Sequence, residues 1–277
     1  MISFIVITHN NEDCIGKCLS QLKSSDGVRC EIIVVDNNST DKTKAIIKEE
    51  FPNVLLCKSD INRGYSYGIN KGVANSKGDV IFIMNPDAQL LTTNLRNMYE
   101  YIKSNHVSVL GPKVINPDGT RQFSARRFPT LKTGFFNRLS LITKLLPNNK
   151  YSNYYLNPII DDDKTQNVDW VSGCSMVIRR DIYEKLSGFD EDFFLFNEDV
   201  DFCYRSKKID YKVQYYPYII VMHKMGISNN YTNFKVKYQR HRSMWLYYRK
   251  HFKRNFLLDI LVFCGIVIRF IFMCPSH

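Results

Sequence analysis

The chain has 277 residues, of which 44% are hydrophobic and 23% are charged. These proportions exclude an intrinsically disordered protein, and the length suffices for one large domain or for one domain with an appended segment. The formal net charge of +11 favours anionic partners such as nucleotides, phospholipids or nucleic acid. Eight cysteines without a CxxC pair, together with the lack of a secretory signal before residue 3, predict reduced thiols in a cytosolic setting.

The first third of the chain alternates short apolar runs with helical patterns. Fully apolar strands that alternate with helices are typical of a parallel sheet buried on both faces, so we predict an α/β fold with a Rossmann-like, mostly parallel open sheet and flanking helices. The predicted strands are 3–8, 31–36, 54–59 and 79–85, and the predicted helices are 12–25, 40–51 and 64–76.

Polar residues follow the predicted strands, at the edge where sheets of this kind bind ligands. The segments concerned are Thr8-His9-Asn10, Asp36-Asn37-Asn38-Ser39 and Asn85-Pro86-Asp87. No GxGxxG or GxxxxGK[ST] sequence occurs at these turns, which argues against a dinucleotide dehydrogenase and against a P-loop NTPase.

The rest of the chain divides into a less regular middle and a second ordered part. Residues 111–167 include a run of basic residues, and we predict a partly mobile loop region over the cleft there. From 168 the pattern predicts one strand over 168–180 with an embedded glycine, then an acidic helix start near 198, and a basic helix over 234–254.

The segment 256–273 is nearly all apolar and follows several basic residues. Two interpretations remain open. It is either a buried C-terminal helix of the domain, or a helix that lies on or crosses a membrane at its cytoplasmic face. The basic flank favours the membrane interpretation, although Asp259 and Arg269 interrupt the apolar run.

Six motifs occur in one order along the chain: IVVDNNSTD from residue 33, NRGYSYGINKG from 62, MNPDA from 84, GCSM from 173, FNEDVDFCYR from 196 and HKMGIS from 223. Together they resemble the family 2 glycosyltransferases, and most of all the rhamnosyltransferase-like branch. The resemblance implies a GT-A fold, inverting transfer from a nucleotide-sugar and a divalent cation, Mg²⁺ or Mn²⁺.

The resemblance implies a set of nucleotide-sugar contacts. Asp36 takes the nucleotide-binding position, where its carboxylate accepts a base N–H of a pyrimidine nucleotide. An ordinary Asx turn is the alternative for Asp36, and helix packing is the alternative for the glycines of the second motif. The other predicted contacts with the nucleotide-sugar are Thr8, Asn10, Arg63, Gly64, Asn70, Asn85 and Asp87.

The NPD segment resembles the family's version of a DxD metal motif. A nucleoside diphosphate leaving group needs a hard cation, and hard cations prefer carboxylate oxygens, so Asp87 is the predicted metal ligand. Asn85 replaces the first Asp of DxD and brings no charge; we expect it to bond the ribose. His223 follows an apolar run and is a second predicted metal ligand or a diphosphate donor. No role is predicted for the histidines His9, His106, His241 and His251.

The NEDVD segment supplies the predicted catalytic base. Inverting transfer needs a carboxylate that takes the proton of the acceptor hydroxyl, and by the family pattern this is Asp199. Glu198 and Asp201 would support the helix N-terminus, and Arg205 would pair with Asp201. A plain acidic helix start is the alternative for all three acids. The predicted acceptor-side residues are Trp170, Gly173, Cys174 and Glu198.

These motifs predict a glycosyltransferase domain over 1–233, with a nucleotide-binding half at 1–110 and an acceptor-binding half at 111–233, followed by a basic and hydrophobic segment at 234–277. The predicted reaction moves rhamnose from dTDP-rhamnose to a glycan or lipid-linked acceptor for cell-surface polysaccharide. A UDP-hexose donor, or a catalytically weak relative acting as a scaffold, is the alternative. Nucleic acid is not an expected partner, because the positive charge lies beside the apolar tail and on no RNA-binding motif.

Overall fold

The computed structural model describes residues 1–22, 27–92, 94–130, 145, 161–224, 233–252 and 255–273. Strands and helices are numbered separately within this part of the chain. The strands are β1 Ile2–Thr8, β2 Cys30–Asp36, β3 Leu55–Lys58, β4 Val80–Met84, β5 Ala88–Leu90, β6 Val107–Ile115, β7 Ala125–Arg126, β8 Gln166–Val168, β9 Trp170–Val171, β10 Ser175–Arg179 and β11 Lys212–His223. The helices are α1 Ile15–Gln21, α2 Thr43–Glu50, α3 Tyr65–Ala74, α4 Leu95–Ser104, α5 Arg180–Lys185, α6 Glu198–Lys208, α7 Phe234–His251 and α8 Phe256–Met273.

Nine of the described strands form one sheet in the order β3-β2-β1-β4-β10-β6-β11-β5, with β8 paired to β11. The first four strands are parallel, as predicted. The rest of the sheet is mixed, because β10 runs antiparallel to both β4 and β6. In this register Ser175 lies opposite Met84, so the turn before β10 sits beside the carboxyl end of β4.

Strand β1 shows why these runs form a two-sided sheet. Phe4 and Val6 join the core cluster on one face, and Ile5 and Ile7 join the cluster on the other. The strand is buried throughout, so every apolar side chain leaves water on folding. The predicted strands and helices of the first third are therefore confirmed, with ends shifted by a few residues.

Two glycines let helix α3 approach its neighbours. Gly64 has a φ of 96°, and a Cβ there would lie 2.5 Å from the backbone oxygen of Phe194. A Cβ on Gly68 would lie 2.8 Å from Ile7 of β1. Both glycines thus serve close packing, which was the alternative interpretation of this motif.

The segment from 168 to 180 is not one strand, so that prediction was wrong. A turn over Ser172–Ser175, closed by a bond from Ser175 N–H to Ser172 O of 3.3 Å, separates β9 from β10. Residues 111–115 belong to β6, which runs across the predicted 110/111 boundary. Most of the predicted mobile loop, 131–144 and 146–160, lies outside the described residues, as does the end of the HKMGIS motif.

Both predicted C-terminal helices are present. Helix α8 packs on α7, and Asp259 turns inward to accept a bond of 2.8 Å from the Tyr248 hydroxyl. Much of the outward surface of α8 is exposed apolar side chain, including Leu257 and Phe272. Within the described residues no helix has the combined length and hydropathy that a membrane crossing requires.

Candidate active site

The carboxyl end of β4 brings Asp87 and His223 together. Strand β5 begins at Ala88, and its antiparallel register with β11 places Ala88 opposite His223. As a result, Nε2 of His223 lies 3.2 Å from Oδ1 of Asp87. Both side chains are buried, which strengthens any charge interaction at this point.

Asn85 lies between this pair and the opposite wall of the site. Its Nδ2 is 3.4 Å from Nε2 of His223, and its Oδ1 is 3.0 Å from the Tyr65 hydroxyl. The same hydroxyl lies 2.8 Å from the carbonyl oxygen of Gly173. Tyr65 therefore connects the end of β4 to the turn that precedes β10.

The donor set at this point suits a divalent cation. Asp87 offers a carboxylate and His223 offers an imidazole nitrogen, the kinds of ligand that Mn²⁺ and Mg²⁺ accept at catalytic sites. Among the described residues no cluster of three or more His, Cys, Asp or Glu side chains could hold a metal by itself. Two protein ligands leave coordination positions for the oxygens of a substrate diphosphate.

The candidate base, Asp199, is held by backbone donors. Its Oδ2 accepts the N–H of Gly173 at 2.8 Å, and its Oδ1 accepts the N–H of Val200 at 2.8 Å. Glu198, beside it, is also buried, and its Oε2 has no hydrogen-bond partner in the described part of the chain. Both acids stand in the first turn of α6, as predicted, directly after Phe196 and Asn197, which have left-handed φ values of 69° and 63°.

The surroundings of Glu198 and Asp199 affect the pKa values of these two acids differently. Burial raises the pKa of Glu198 well above its usual range, and the charge of Asp199 adds to the shift. Burial also raises the pKa of Asp199, but the N–H groups of Gly173 and Val200 and the charge of Arg126 oppose the increase. Asp199 therefore loses its proton first and carries the negative charge of the pair.

The predicted acceptor-side residues lie on β9, in the turn before β10 and at the start of α6. Trp170 donates from Nε1 to Arg127 O at 2.8 Å, and the guanidinium of Arg126 lies 5.5 Å from its ring centroid. The carbonyl of Cys174 accepts the N–H of Asn85 at 3.0 Å. Burial raises the pKa of the Cys174 thiol to about 12, which excludes a thiolate role at neutral pH.

The first two strand ends form a polar rim. Asp36 accepts the N–H of Ser39 with Oδ2 at 3.1 Å, which is the Asx turn of the alternative interpretation, while its Oδ1 has no hydrogen-bond partner among the described residues. Thr8 is buried and donates to Asn11 at 3.0 Å. Asn10 is exposed, with a φ of 56°, and accepts the N–H of Thr40 at 2.8 Å. Oδ1 of Asp36 is therefore an open acceptor of this rim, as is Oδ1 of Asn37 among the described residues.

Asn70 differs from its prediction. Its Nδ2 donates to Phe189 O at 2.9 Å and to Glu191 at 2.9 Å, while its Oδ1 accepts from Tyr183 and from Phe189 N–H. These four bonds use the whole capacity of the amide, so Asn70 fastens α3 to the segment 188–191 and has no amide group left for a nucleotide.

Gly64 and Arg63 make contacts within the protein. The face of Gly64 where a side chain would stand is occupied by the Phe194 backbone, and its carbonyl accepts a bond of 3.0 Å from Asn37. Arg63 is exposed and stacks on the Tyr67 ring at 4.0 Å.

Sequence reasoning missed three residues of the site, Tyr65, Gln122 and Arg126. Tyr65 stands inside a quoted motif, but no spacing rule shows that its hydroxyl reaches Asn85 and Gly173. Gln122 bonds Nδ1 of His223 at 3.1 Å. An available signal was the turn-forming sequence NPDG over 116–119, which folds the chain back so that Gln122 N–H bonds Val114 O on β6.

The chain is similar to known glycosyltransferases. Residues 3–187 match the model of glycosyl transferase family 2. The N-acetylglucosaminyl-diphospho-decaprenol L-rhamnosyltransferase of Mycobacterium tuberculosis is 26% identical over 235 residues, which cover 80% of this chain and 76% of that protein. The rhamnosyltransferase WbbL of Escherichia coli K12 is 24% identical over 236 residues, which cover 80% of this chain and 83% of that protein.

The fold is shared with a solved structure, the mannosyltransferase PcManGT of Pyrobaculum calidifontis in complex with GDP-Man and Mn²⁺. Its TM-score is 0.61 at 17% identity, and the match covers 99% of this chain and 72% of that one. The predicted GT-A fold is thereby confirmed. With two thirds of its length matched by the family model, this chain belongs to glycosyl transferase family 2, and it is a glycosyltransferase.

Proposed function

We propose that this glycosyltransferase is inverting and depends on a divalent cation, Mg²⁺ or Mn²⁺, held by Asp87 and His223. The observation that carries the proposal is the position of the Tyr65 hydroxyl. It bonds Asn85, which touches His223, and it bonds Gly173, whose N–H holds Asp199. The Tyr65 hydroxyl thus lies between the candidate metal ligands and the candidate base.

In the proposed reaction the acceptor hydroxyl oxygen attacks the anomeric carbon of the donor sugar. The bond between that carbon and the diphosphate oxygen breaks, the nucleoside diphosphate leaves with the electron pair, and the hydroxyl proton passes to the carboxylate of Asp199. The bound cation would supply charge stabilisation for the departing diphosphate. Attack from the face opposite the leaving group inverts the anomeric configuration.

Glu198 has a different role in this scheme. Its raised pKa favours the protonated form, in which Glu198 is an O–H donor and not a base. A neutral acid beside Asp199 also leaves the pair with a single charge, which the buried site accommodates at lower cost than two charges. Glu198, Trp170, Gly173 and Cys174 therefore form the acceptor side in this proposal.

The proposed donor is a pyrimidine nucleoside diphosphate sugar, with dTDP-rhamnose as the specific candidate. Support comes from the open acceptor Oδ1 of Asp36, which suits a base N–H, and from the relatives named as rhamnosyltransferases. A UDP-hexose donor is the alternative, since a related fold, S. aureus TarS, was solved in complex with UDP. A weakly active scaffold is the other alternative, prompted by Asn85 in place of a first Asp.

The proposed acceptor is a glycan or a lipid-linked sugar diphosphate, at the cytoplasmic face of a membrane. The support is the C-terminal pair of helices. Helix α8 directs apolar residues outward and Asp259 inward, and Arg249, in the last turn of α7, is exposed. Such a helix suits the boundary of an anionic membrane, with basic side chains at the headgroups.

A donor screen tests the reaction. Nucleoside diphosphate release would be measured for dTDP-rhamnose, UDP-glucose and GDP-mannose, each with Mn²⁺ and with EDTA. The proposal expects turnover of dTDP-rhamnose that EDTA abolishes. Preference for a purine donor, or turnover unaffected by EDTA, would contradict it.

A vesicle-binding experiment tests the membrane proposal separately. Leu257→Glu combined with Phe272→Glu should release the protein from anionic phospholipid vesicles, because both side chains are more than two-thirds exposed on α8. Ile61→Glu changes a similarly exposed apolar residue elsewhere and should bind like the wild type. Equal binding of all three proteins would contradict the proposal.

A further inference from the structure

Gln122 is a buried glutamine that contacts His223 in two places. Its Nε2 lies 2.5 Å from the backbone oxygen of His223, and its Oε1 lies 3.1 Å from Nδ1 of the same residue. A third contact joins its Nε2 to Oδ1 of Asn116 at 2.7 Å. The amide therefore holds both the ring and the main chain of this histidine.

The neighbours of Gln122 determine which way its amide points. A backbone carbonyl can only accept a hydrogen bond, so the NH₂ group must face the oxygen of His223. Asn116 agrees, because its own NH₂ group is used on the Thr120 hydroxyl at 2.8 Å and its oxygen faces Gln122. Reversing the Gln122 amide would bring its oxygen against two other acceptors.

With this orientation Oε1 faces Nδ1 of His223, and an acceptor there requires a proton on Nδ1. A neutral imidazole carries only one N–H, so Nε2 is the nitrogen with the free electron pair. Nε2 is also the atom that lies 3.2 Å from Oδ1 of Asp87. On that side the carboxylate of Asp87 and the amide of Asn85, whose Nδ2 is 3.4 Å away, face Nε2.

We propose that Gln122 is a positioning residue that holds His223 with Nδ1–H turned to the glutamine and Nε2 turned to Asp87, where a divalent cation binds. The inference rests on the proposed function for the cation, but the ring orientation and tautomer do not depend on it. Partners of this kind raise metal affinity by fixing the ligating nitrogen, and their loss typically costs 10- to 100-fold in affinity.

The ring nitrogens can be observed directly in the metal-free protein. ¹⁵N spectra of His side chains separate protonated from unprotonated nitrogens, and His223→Gln identifies the signals of this residue. The expected wild-type result is a protonated Nδ1, which donates to Gln122. An unprotonated Nδ1 would overturn the proposal without any Gln122 variant having to fold.

Variants extend the test to the cation. Gln122→Met keeps the volume but removes the amide, and we expect loss of the single tautomer and about 10-fold weaker Mn²⁺ binding in the presence of UDP. Gln214→Leu is the control, since Gln214 lies on the same strand as His223 and, among the described residues, its side chain bonds Tyr101 and Asn167. Its tautomer and Mn²⁺ affinity should match the wild type. Unchanged tautomer and affinity in Gln122→Met would overturn the proposal.

The outcomes also separate this inference from the proposed function. If wild type has the expected tautomer and Gln122→Met loses it, yet neither protein binds Mn²⁺, the positioning of the ring stands and the metal-dependent reaction fails. If Mn²⁺ binds equally to both proteins, the reaction stands and the role of Gln122 fails.

Discussion

His251 Nε2 lies 2.7 Å from Oδ1 of Asp201, and this contact joins the last residue of α7 to the helix that carries the candidate base. Asp201 is fully buried and also accepts from Arg205 at 2.7 Å and from Lys250 at 2.8 Å. The predicted Asp201–Arg205 pair is thus present within a larger cluster. His251, for which no role was predicted, is part of what holds α6 in place.

Asp201→Asn should lower the free energy of unfolding by about 3 kcal/mol, because it leaves buried or half-buried cations without their counter-charge. Denaturant unfolding of both proteins measures the difference. Asp163→Asn is the matched control, since Asp163 is 89% exposed and pairs weakly with Lys113. Equal losses in the two variants would contradict the role assigned to Asp201.

The same cluster predicts how stability depends on acid. Burial would raise the pKa of Asp201, but the His251 bond and the charges of Arg205 and Lys250 lower it to about 2. Because the folded pKa is below the unfolded value of about 3.9, the stabilisation is complete above about pH 4 and is lost as the pH falls towards 2.

This carboxyl contributes about 3 kcal/mol at neutral pH on that basis. Unfolding free energies measured between about pH 5 and pH 2 should fall more steeply for the wild type than for Asp201→Asn. Parallel curves for the two proteins would show that Asp201 is not the group concerned.

Gly64→Ala should destabilise the protein strongly, since its Cβ would meet the Phe194 backbone at 2.5 Å and its φ is left-handed. Gly119→Ala is a direct control, because Gly119 also has a left-handed φ, of 82°, but has nothing within 4 Å of the Cβ position. We expect about 1 kcal/mol for Gly119→Ala and a clearly larger loss of unfolding free energy for Gly64→Ala. Similar losses in the two variants would contradict this expectation, because they would show that the Phe194 backbone shifts at little cost to admit the added methyl group.

Asp87→Asn should remove most Mn²⁺ binding in the presence of UDP, because it takes away the charged oxygen of the site. Calorimetric titration with Mn²⁺ checks this expectation. Asp118→Asn, in the other NPD sequence of the chain, changes an exposed carboxylate of the turn at 116–119 and should leave Mn²⁺ binding intact. Full affinity in Asp87→Asn would exclude this residue as a ligand.

Strands and helix starts that are recognisable from a short run of neighbouring residues could be predicted from the sequence. Strands β1 and β4 are runs of apolar residues, so their burial and the polar residues that follow them, including Asp87, follow from composition and order. The placement of Asp199 in the first turn of α6 followed from the acidic cluster in the same way.

The contacts that the sequence did not predict correctly join segments that are distant along the chain. Asn70 was expected to contact the nucleotide, but its amide is hydrogen-bonded to the segment 188–191. Gln122 reaches His223 only because β6 pairs with β11 and the turn at 116–119 folds back along β6. Periodicity contains no information about such registers, so these contacts were beyond sequence reasoning.

The most direct test of the account is transfer from dTDP-rhamnose to an N-acetylglucosaminyl-diphospho-lipid with Mn²⁺, compared between the wild type, Asp199→Asn and Glu198→Gln. The account predicts an inverted anomeric configuration in the product and a loss on the order of 10²- to 10⁴-fold in kcat for Asp199→Asn, with a smaller loss for Glu198→Gln, which keeps a hydrogen-bond donor. Full activity of Asp199→Asn, or a product with retained configuration, would contradict it.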